Sequence, residues 1–468
     1  LVASEFLGYG GRLAVVRAAG ASLANAANGG GTLIKNDAAW ESGVGNTKIF
    51  AARSAGTWGN GVKVVVVDRG ADQIITLASA PSNPPSAGDA VAFNVSGVVK
   101  DAEVVAVNGL DYTVVLDDPT VLISDSDNIE GTTINAGNAG ADINIAAVKD
   151  AYTNTSIGST GLKLSAIGPR PGTSSFASDR GVKYDEVHVG VIDTTGDVSG
   201  AANTVIERFT FLSKISDAKS PEGGSLYYKD IINDQAQFIF SGAAVGSLFE
   251  PNSTGGGKAW GVASSTLSSG DFFKLSGGNE TDLSGGSDDY AYTAGEVTAG
   301  YDLFLDTEET EVDFVLMGGS MGTEADTKTK AQKAVAIAAA RKDCVAFVSA
   351  FKGNQVGSGG SALTSSQQKT KTLNFFNTIT STSYAVLDSG YKYMYDRFND
   401  KYRYVACNGD VAGLCVNTST TVADWISPAG LARGGVRNVV KLAYNPNKAD
   451  RDEPVSYTHL TLPTTMWV

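Results

Sequence analysis

Val312-Asp-Phe-Val-Leu-Met317 runs into Gly318-Gly-Ser-Met-Gly322, and an alanine-rich stretch, Thr327–Lys342, follows. The first piece is short and apolar, as a buried strand is. The last places Ala331, Ala334, Val335 and Ala338 on one helical face. The same pattern then repeats. Val345–Ala350 is predicted to be a strand and 365–380 a helix, with Leu373, Phe376 and Thr380 roughly one turn apart. Tyr384–Leu387 is a third strand, Tyr391–Cys407 a hairpin around Asn399-Asp400, and Asp410–Val416 opens a third helix. Strand–helix alternation of this kind predicts helices covering a mainly parallel sheet, here within an α/β core domain over 311–454.

Working outward, the character changes. Residues 70–180 are β-prone, with strands expected at Val91-Ala-Phe-Asn-Val95, Glu103-Val-Val-Ala-Val107 and Tyr112-Thr-Val-Val-Leu116. Asn108-Gly109 is a hairpin turn between the last two. Pro81, Pro84 and Pro85 punctuate the entry, and Pro169 and Pro171 the exit. This segment is expected to be an inserted β-rich domain, and 1–69 together with 181–310 a middle domain. In the middle domain Arg12–Arg17, Lys48–Arg53, Val62–Asp68, the alternating Glu186–Ile192, and Gln237–Phe240 read as strands, Val205–Ile215 as extended or mixed, and Leu226–Ile232 follows it. The fold class is thus α/β and β multidomain.

A chain of 468 residues exceeds the roughly 250–300 at which single cores stop growing, which agrees with several domains. It carries 50 acidic and 36 basic side chains, a formal net charge of −14. That balance opposes general nucleic-acid binding, which needs clustered cations to displace counterions. It also opposes binding to an anionic membrane surface, and no apolar run approaches the roughly 20 residues of a membrane span. No signal peptide is visible, although the chain begins at Leu1. The 55 glycines, with recurrent Ser, Thr, Asn and Asp, mean many turns and loops. Cys344, Cys407 and Cys415 are odd in number and lack CxxC spacing, so buried reduced thiols are expected rather than a disulfide framework or a zinc site. Val455-Ser-Tyr-Thr-His-Leu-Thr-Leu-Pro-Thr464 resembles the translation of a sequencing adapter, and 455–468 are set aside as a non-native scar.

Several motifs invite a chemical reading. Gly318-Gly-Ser-Met-Gly322 matches G-x-S-x-G between a strand and a helix, the context of a nucleophile elbow at Ser320. The only histidine downstream is His459, inside the scar, so Ser320 lacks an ordinary base. The same loop offers a helix N-terminus to an anion, but no P-loop or dinucleotide fingerprint accompanies it. Asp125 with Asp127, Asp288 with Asp289, and Asp193 with Asp197 do not fit a calcium loop and suit exposed turns. His188, on the alternating strand, has no neighbouring ligand in sequence. Tyr391, Tyr393, Tyr395, Phe398, Tyr402 and Tyr404 form an aromatic ladder among Lys392, Arg397, Lys401 and Arg403. Such ladders pack sheets more often than they stack bases. Between Pro428 and Arg451 lie Arg433, Arg437, Lys441 and Lys448, with Asp450 the only acid. A basic segment on an acidic chain suits either a solvated face or a complementary contact between subunits.

Taken together, five segments resemble tail sheath proteins of contractile phages. Ala51-Ala-Arg-Ser-Ala-Gly-Thr-Trp-Gly-Asn-Gly61, containing Trp58, is similar to the family's "RSPGTWGN". Glu186–Ile192, the turn 193–200 and Glu207-Arg-Phe-Thr-Phe-Leu-Ser213 resemble its strand, acidic glycine turn and "E-x-F-x-x-L-S". Ser225-Leu-Tyr-Tyr-Lys-Asp-Ile-Ile-Asn233 resembles "YYKDVIN", and Leu283-Ser-Gly-Gly286 its "L-x-G-G" turn. Trp425-Ile-Ser-Pro-Ala-Gly430, with Pro428, Gly430, Arg433-Gly434 and Asn438, resembles "W-x-S-P-A-G-x-x-R-G".

The order of these pieces along 1–454 is closest to the T4-like sheaths. The resemblance implies a structural subunit, not an enzyme, needing no cofactor, no metal and no active site. It implies hexameric rings stacked around a tail tube, with baseplate and tail terminator proteins as further partners. Neither nucleic acid nor membrane insertion is implied. The place of action is the virion, after assembly in the host bacterial cytoplasm. It also makes 70–180 a protruding outer domain, and the chain a fragment lacking the family's N-terminal arm and C-terminal domain. Arg433, Arg437 and Lys441 are the candidate assembly contacts, facing the tube or an adjacent subunit. Two rival readings are a secreted or surface-layer β-rich adhesin, which suits the Gly-, Asp- and Asn-rich loops, and a serine esterase at Ser320.

Overall fold

Two strands come early, β1 (Phe50–Ala52) and β2 (Val62–Val67), and every residue of both is buried. They belong to the computed structural model, which describes residues 1–118, 120–131, 141–243, 257–273, 278–308, 310–357, 362–430 and 432–447. The expected scar, with His459, and the basic residues Lys448 and Arg451 lie outside the described residues. The chain divides into two compact units, one of Ser22–Asp288 and one of Leu1–Ala21 joined to the residues from Asp289 onward.

In the first unit the chain passes from β2 into a closed antiparallel barrel. Its strands are β3 (Gln73–Leu77), β4 (Ala90–Val95), β5 (Val98–Asn108), β6 (Asp111–Leu116), β7 (Asn128–Ile129) and β8 (Ile143–Asp150), in the order β3-β6-β5-β4-β7-β8. β3 also pairs with β8, so no edge is left open. Alternation fills the interior: Ile75, Val91, Phe93, Val104, Tyr112, Val114 and Ile145 form one buried cluster. The β5–β6 hairpin turns through Gly109, whose φ of +64° is the left-handed conformation such a turn requires.

The chain then returns to β2. β9 (Glu186–Asp193) and β10 (Thr204–Ser213) extend it, β11 (Ile239–Ser241) pairs with β1, and β12 (Gly278–Asp282) pairs with β2. The four-stranded order is β10-β9-β2-β12, and every pairing is antiparallel. Val62, Val64 and Val66 face a core with Val187, Val189, Tyr228, Trp260 and Phe273, while Val65 and Val67 face Tyr152, Leu164, Ile167 and Ile192. Both faces of β2 and β9 are therefore covered, and the alternation along 186–192 separates two cores. Part of the expected Leu226–Ile232 element lies in a helix, Tyr228–Gln235.

The second unit begins with a six-residue helix, α1 (Val2–Leu7). Residues 11–20 carry no strand ladder among the described residues, against the strand expected at Arg12–Arg17, and Val15 is 77% exposed. An apolar run becomes a strand only where another strand supplies its hydrogen bonds. Next come α2 (Ala294–Asp302), opened by a capping box between Thr293 and Glu296, then β13 (Phe314–Leu316) and α3 (Glu324–Arg341). β14 (Val345–Ser349), α4 (Lys352–Val356), α5 (Ser365–Phe376) and β15 (Ala385–Asp388) follow. Among the described residues the order β13-β14-β15 is wholly parallel over three strands, and the larger sheets are antiparallel. The protein is thus a mixed α/β structure of several sheets and a small barrel. Ala331, Ala334, Val335 and Ala338 of α3, with Phe375 and Phe376 of α5, cover one face. Phe6 of α1 and Ala412 and Val416 of α6 (Asn408–Thr421) cover the other. Between β15 and α6 the hairpin β16 (Tyr391–Asp396) and β17 (Lys401–Ala406) forms, and β18 (Lys441–Leu442) pairs with β16.

Candidate assembly surface

The hairpin β16–β17 shows two faces because side chains alternate along a strand. Tyr393, Tyr395, Tyr402 and Tyr404 share one of them, with Tyr393 stacked on Tyr402 at 5.3 Å and tilted to Tyr404 at 4.8 Å. Lys441, placed opposite Tyr393 in the ladder with β18, holds its ammonium 5.2 Å from that ring. The hairpin end is apolar and basic: Phe398 is 68% exposed, and the Arg397 guanidinium lies 5.0 Å from its ring. Trp425, just beyond α6, is 85% exposed, and Val422 and Val440 are exposed as well. Large exposed side chains of this kind are what contact surfaces are built from.

The three candidate contact residues have different standing. Arg433 Nε donates to the carbonyl of Ser427 at 3.2 Å, pinning the loop that contains Pro428 and Gly430. Gly430, at φ +127°, occupies backbone space that L residues avoid. Arg437 is exposed but engaged within its own chain: its guanidinium donates to the carbonyl of Gly8 and lies 5.0 Å from the Tyr9 ring. Lys441 is exposed on β18. Trp58 is partly buried; it lies in a turn of 3-10 helix, Thr57–Gly61, packed against the core and edge-on to Phe238 at 6.1 Å.

Behind the tyrosine face is a cluster that sequence reasoning missed. Lys392 is fully buried, and its Nζ donates to Glu5 Oε2 at 2.6 Å, to Asp410 Oδ1 at 2.8 Å and to the carbonyl of Arg437 at 2.8 Å. Burial pushes the Asp410 carboxyl up, and the Lys392 ammonium opposes that rise. The available signal was strand period: Lys392, Met394 and Asp396 lie on the side opposite the tyrosine stack, so a lysine at that register must find acids.

The other singled-out residues resolve into structural roles. His188 is buried in the first unit; its Nε2 lies 2.6 Å from the Pro169 carbonyl and its Nδ1 accepts from the Phe211 amide at 3.0 Å. An Nδ1 that accepts makes Nε2 the donor, and burial pushes the imidazole pKa down, so the ring is neutral. Asp193 accepts from the amides of Gly196, Val198 and Ser199. Burial raises its pKa, but these hydrogen bonds outweigh burial and hold it at about 2. Ser320 lies in the loop between β13 and α3 of the second unit.

With this geometry in place, the chain can be compared with known proteins. No family model matches it. It is 36% identical over 178 residues to the tail sheath protein of Enterobacteria phage T4, covering 36% of this chain and 27% of that protein. It is 33% identical over 190 residues to the tail sheath protein of Vibrio phage KVP40, covering 37% of this chain and 26% of that protein. Against the tail sheath protein of Salmonella phage ViI the identity is 23% over 473 residues, and the match takes in 96% of this chain and 65% of that protein.

The chain is similar to phage tail sheath proteins along most of its length.

It spans less than two thirds of the length of each of these three sheath proteins. A solved helical sheath, that of the anti-feeding prophage in its contracted state, aligns with 38% of this chain and 41% of its own at 11% identity; its TM-score of 0.24 carries no argument about the fold.

Proposed function

We propose that this chain is the folded body of a contractile phage tail sheath subunit. The match to a sheath protein along 96% of the chain carries the reading, and the three relatives share the sheath name. In that role the complete protein polymerises as hexameric rings around a tail tube, between baseplate and terminator proteins, in the host cytoplasm and then in the virion. Contraction needs no reactive group: each subunit moves as a near-rigid body from a weaker lattice to a better-packed one. The closed barrel within 70–180 serves as the protruding outer domain, since closure leaves it no strand edge to share. The surface bearing Trp425, Phe398, Arg433 and Lys441 faces a neighbouring subunit or the tube. The three curated relatives are all tail sheath proteins, and the adhesin reading is not favoured.

The test is negative-stain electron microscopy of the full-length protein, which is expected to form tubular polymers; a monodisperse preparation under all salt conditions would overturn the reading. The charge-reversed pair Arg433→Glu and Lys441→Glu is expected to weaken polymer formation with the fold intact. Arg437→Glu is a poorer probe, because Arg437 is already engaged within its own chain.

A further inference from the structure

We propose that Lys392 is the pin of a two-part clasp: its ammonium ties the segments 1–10 and 437–443 to the body and to each other, so that the two come loose together. Four stretches of chain meet at it. Glu5 arrives from α1, Asp410 from the first turn of α6 and the Arg437 carbonyl from the segment leading into β18, all within 2.8 Å of Nζ. The lysine itself comes from β16, where it stands opposite Leu442 in the ladder.

The two segments are also bound to each other around the pin. Tyr9 donates its hydroxyl to Asp410 Oδ1 at 3.1 Å and accepts from the Arg437 amide at 3.0 Å. Asn438 Nδ2 lies 3.3 Å from both oxygens of Glu5. The Arg437 guanidinium reaches back to the Gly8 carbonyl. Removing the ammonium leaves the carboxylates of Glu5 and Asp410 buried without their shared cation, an arrangement that expels one of them. If 1–10 leaves, the Arg437 amide loses Tyr9 and Asn438 loses Glu5. If 437–443 leaves, 1–10 loses the same partners. Neither segment can open alone at its own cost only. On the sheath reading, on which this last step rests, a load applied to one segment is handed to the other within a single subunit.

Hydrogen exchange of the full chain, followed by mass spectrometry, tests the clasp. Lys392→Met is expected to raise exchange about tenfold or more in both 3–10 and 438–443 and to leave 73–150 unchanged. Lys392→Arg, which keeps the charge, is expected to restore part of the protection in both. A rise confined to one segment would overturn the proposal. Should Lys392→Met fail to fold, Glu5→Gln decides: the clasp requires that this change in α1 also loosen 438–443, and unchanged protection there refutes it. None of these readouts involves polymer formation, so the clasp and the sheath reading fail separately.

Discussion

The barrel and the parallel-sheet unit place their charges in opposite ways. Between 71 and 150 stand twelve carboxylates and two lysines, yet the barrel interior is Ile75, Val91, Phe93, Val104, Tyr112, Val114 and Ile145. Its carboxylates are mostly exposed; Asp72 and Asp127, which are buried, stand at strand ends and accept backbone N–H bonds from Leu116 and Ser124. In the parallel-sheet unit several charges go inside. Besides the Lys392 cluster, Asp388 is buried at the end of β15, accepting from Ser349 Oγ at 2.8 Å and from the Gly390 amide at 3.0 Å. Asn408, at the start of α6, donates to the same Ser349 Oγ at 2.9 Å and to the Gly318 carbonyl at 2.8 Å. A closed barrel satisfies its backbone by its own ladder and needs only apolar filling. Three short parallel strands end in loops whose polar groups must be bound by something, and here other loops and a helix start bind them.

The contrast can be broken from either side. The largest effect is expected from Phe93→Ala, which empties the middle of the barrel and should cost about 3–5 kcal/mol. Hydrogen exchange should show 73–150 loosened and 312–388 unchanged; parallel loss in both would mean that the barrel does not hold itself together.

Next comes Asp388. Burial pushes its pKa up to about 7, against an ordinary 3.8. A carboxyl whose folded pKa is raised stabilises the fold below its unfolded pKa, and that contribution is lost as pH rises through the folded value. Stability of the parallel-sheet unit should therefore fall between pH 4 and pH 7 by up to about 4 kcal/mol from this group. Asp388→Asn should flatten that part of the urea-denaturation profile and leave the variant more stable than the parent at pH 8. An unchanged slope would mean that the carboxyl titrates normally.

A smaller effect is expected at the start of α3, where Thr323 accepts from the Asp326 amide at 3.1 Å. Thr323→Ala should cost about 1 kcal/mol, read as a shift in the denaturation midpoint of this unit alone. The smallest belongs to the outside of the barrel. Neutralising the exposed Asp101 and Glu103 to Asn and Gln should change stability by no more than about 0.5 kcal/mol. A larger cost would show that those carboxylates hold something the barrel needs.

Much of this architecture could be read along the chain, because it rests on local period and local chemistry. β-prone runs marked β4, β5 and β6, the Asn108-Gly109 pair marked the hairpin of the last two, and one alanine face marked α3. The sheath-like segments around Trp58 and Trp425 were also legible as strings. What those two residues do was not: one is packed against the core and the other stands in solvent. Arg12–Arg17 shows the limit most plainly, since its composition is that of a strand and no ladder among the described residues receives it.

The sequence by itself determined the kinds of elements, their rough bounds, the acid excess and the kinship with phage sheaths, since each of these is a property of neighbouring residues or of their order. Only the tertiary structure decided that β3 closes on β8, that both faces of β9 are covered, and that Lys392 is enclosed by Glu5 and Asp410. Those outcomes depend on partners far away in the chain. Burial and pairing are set by which surfaces meet, and that information is held by the whole fold at once.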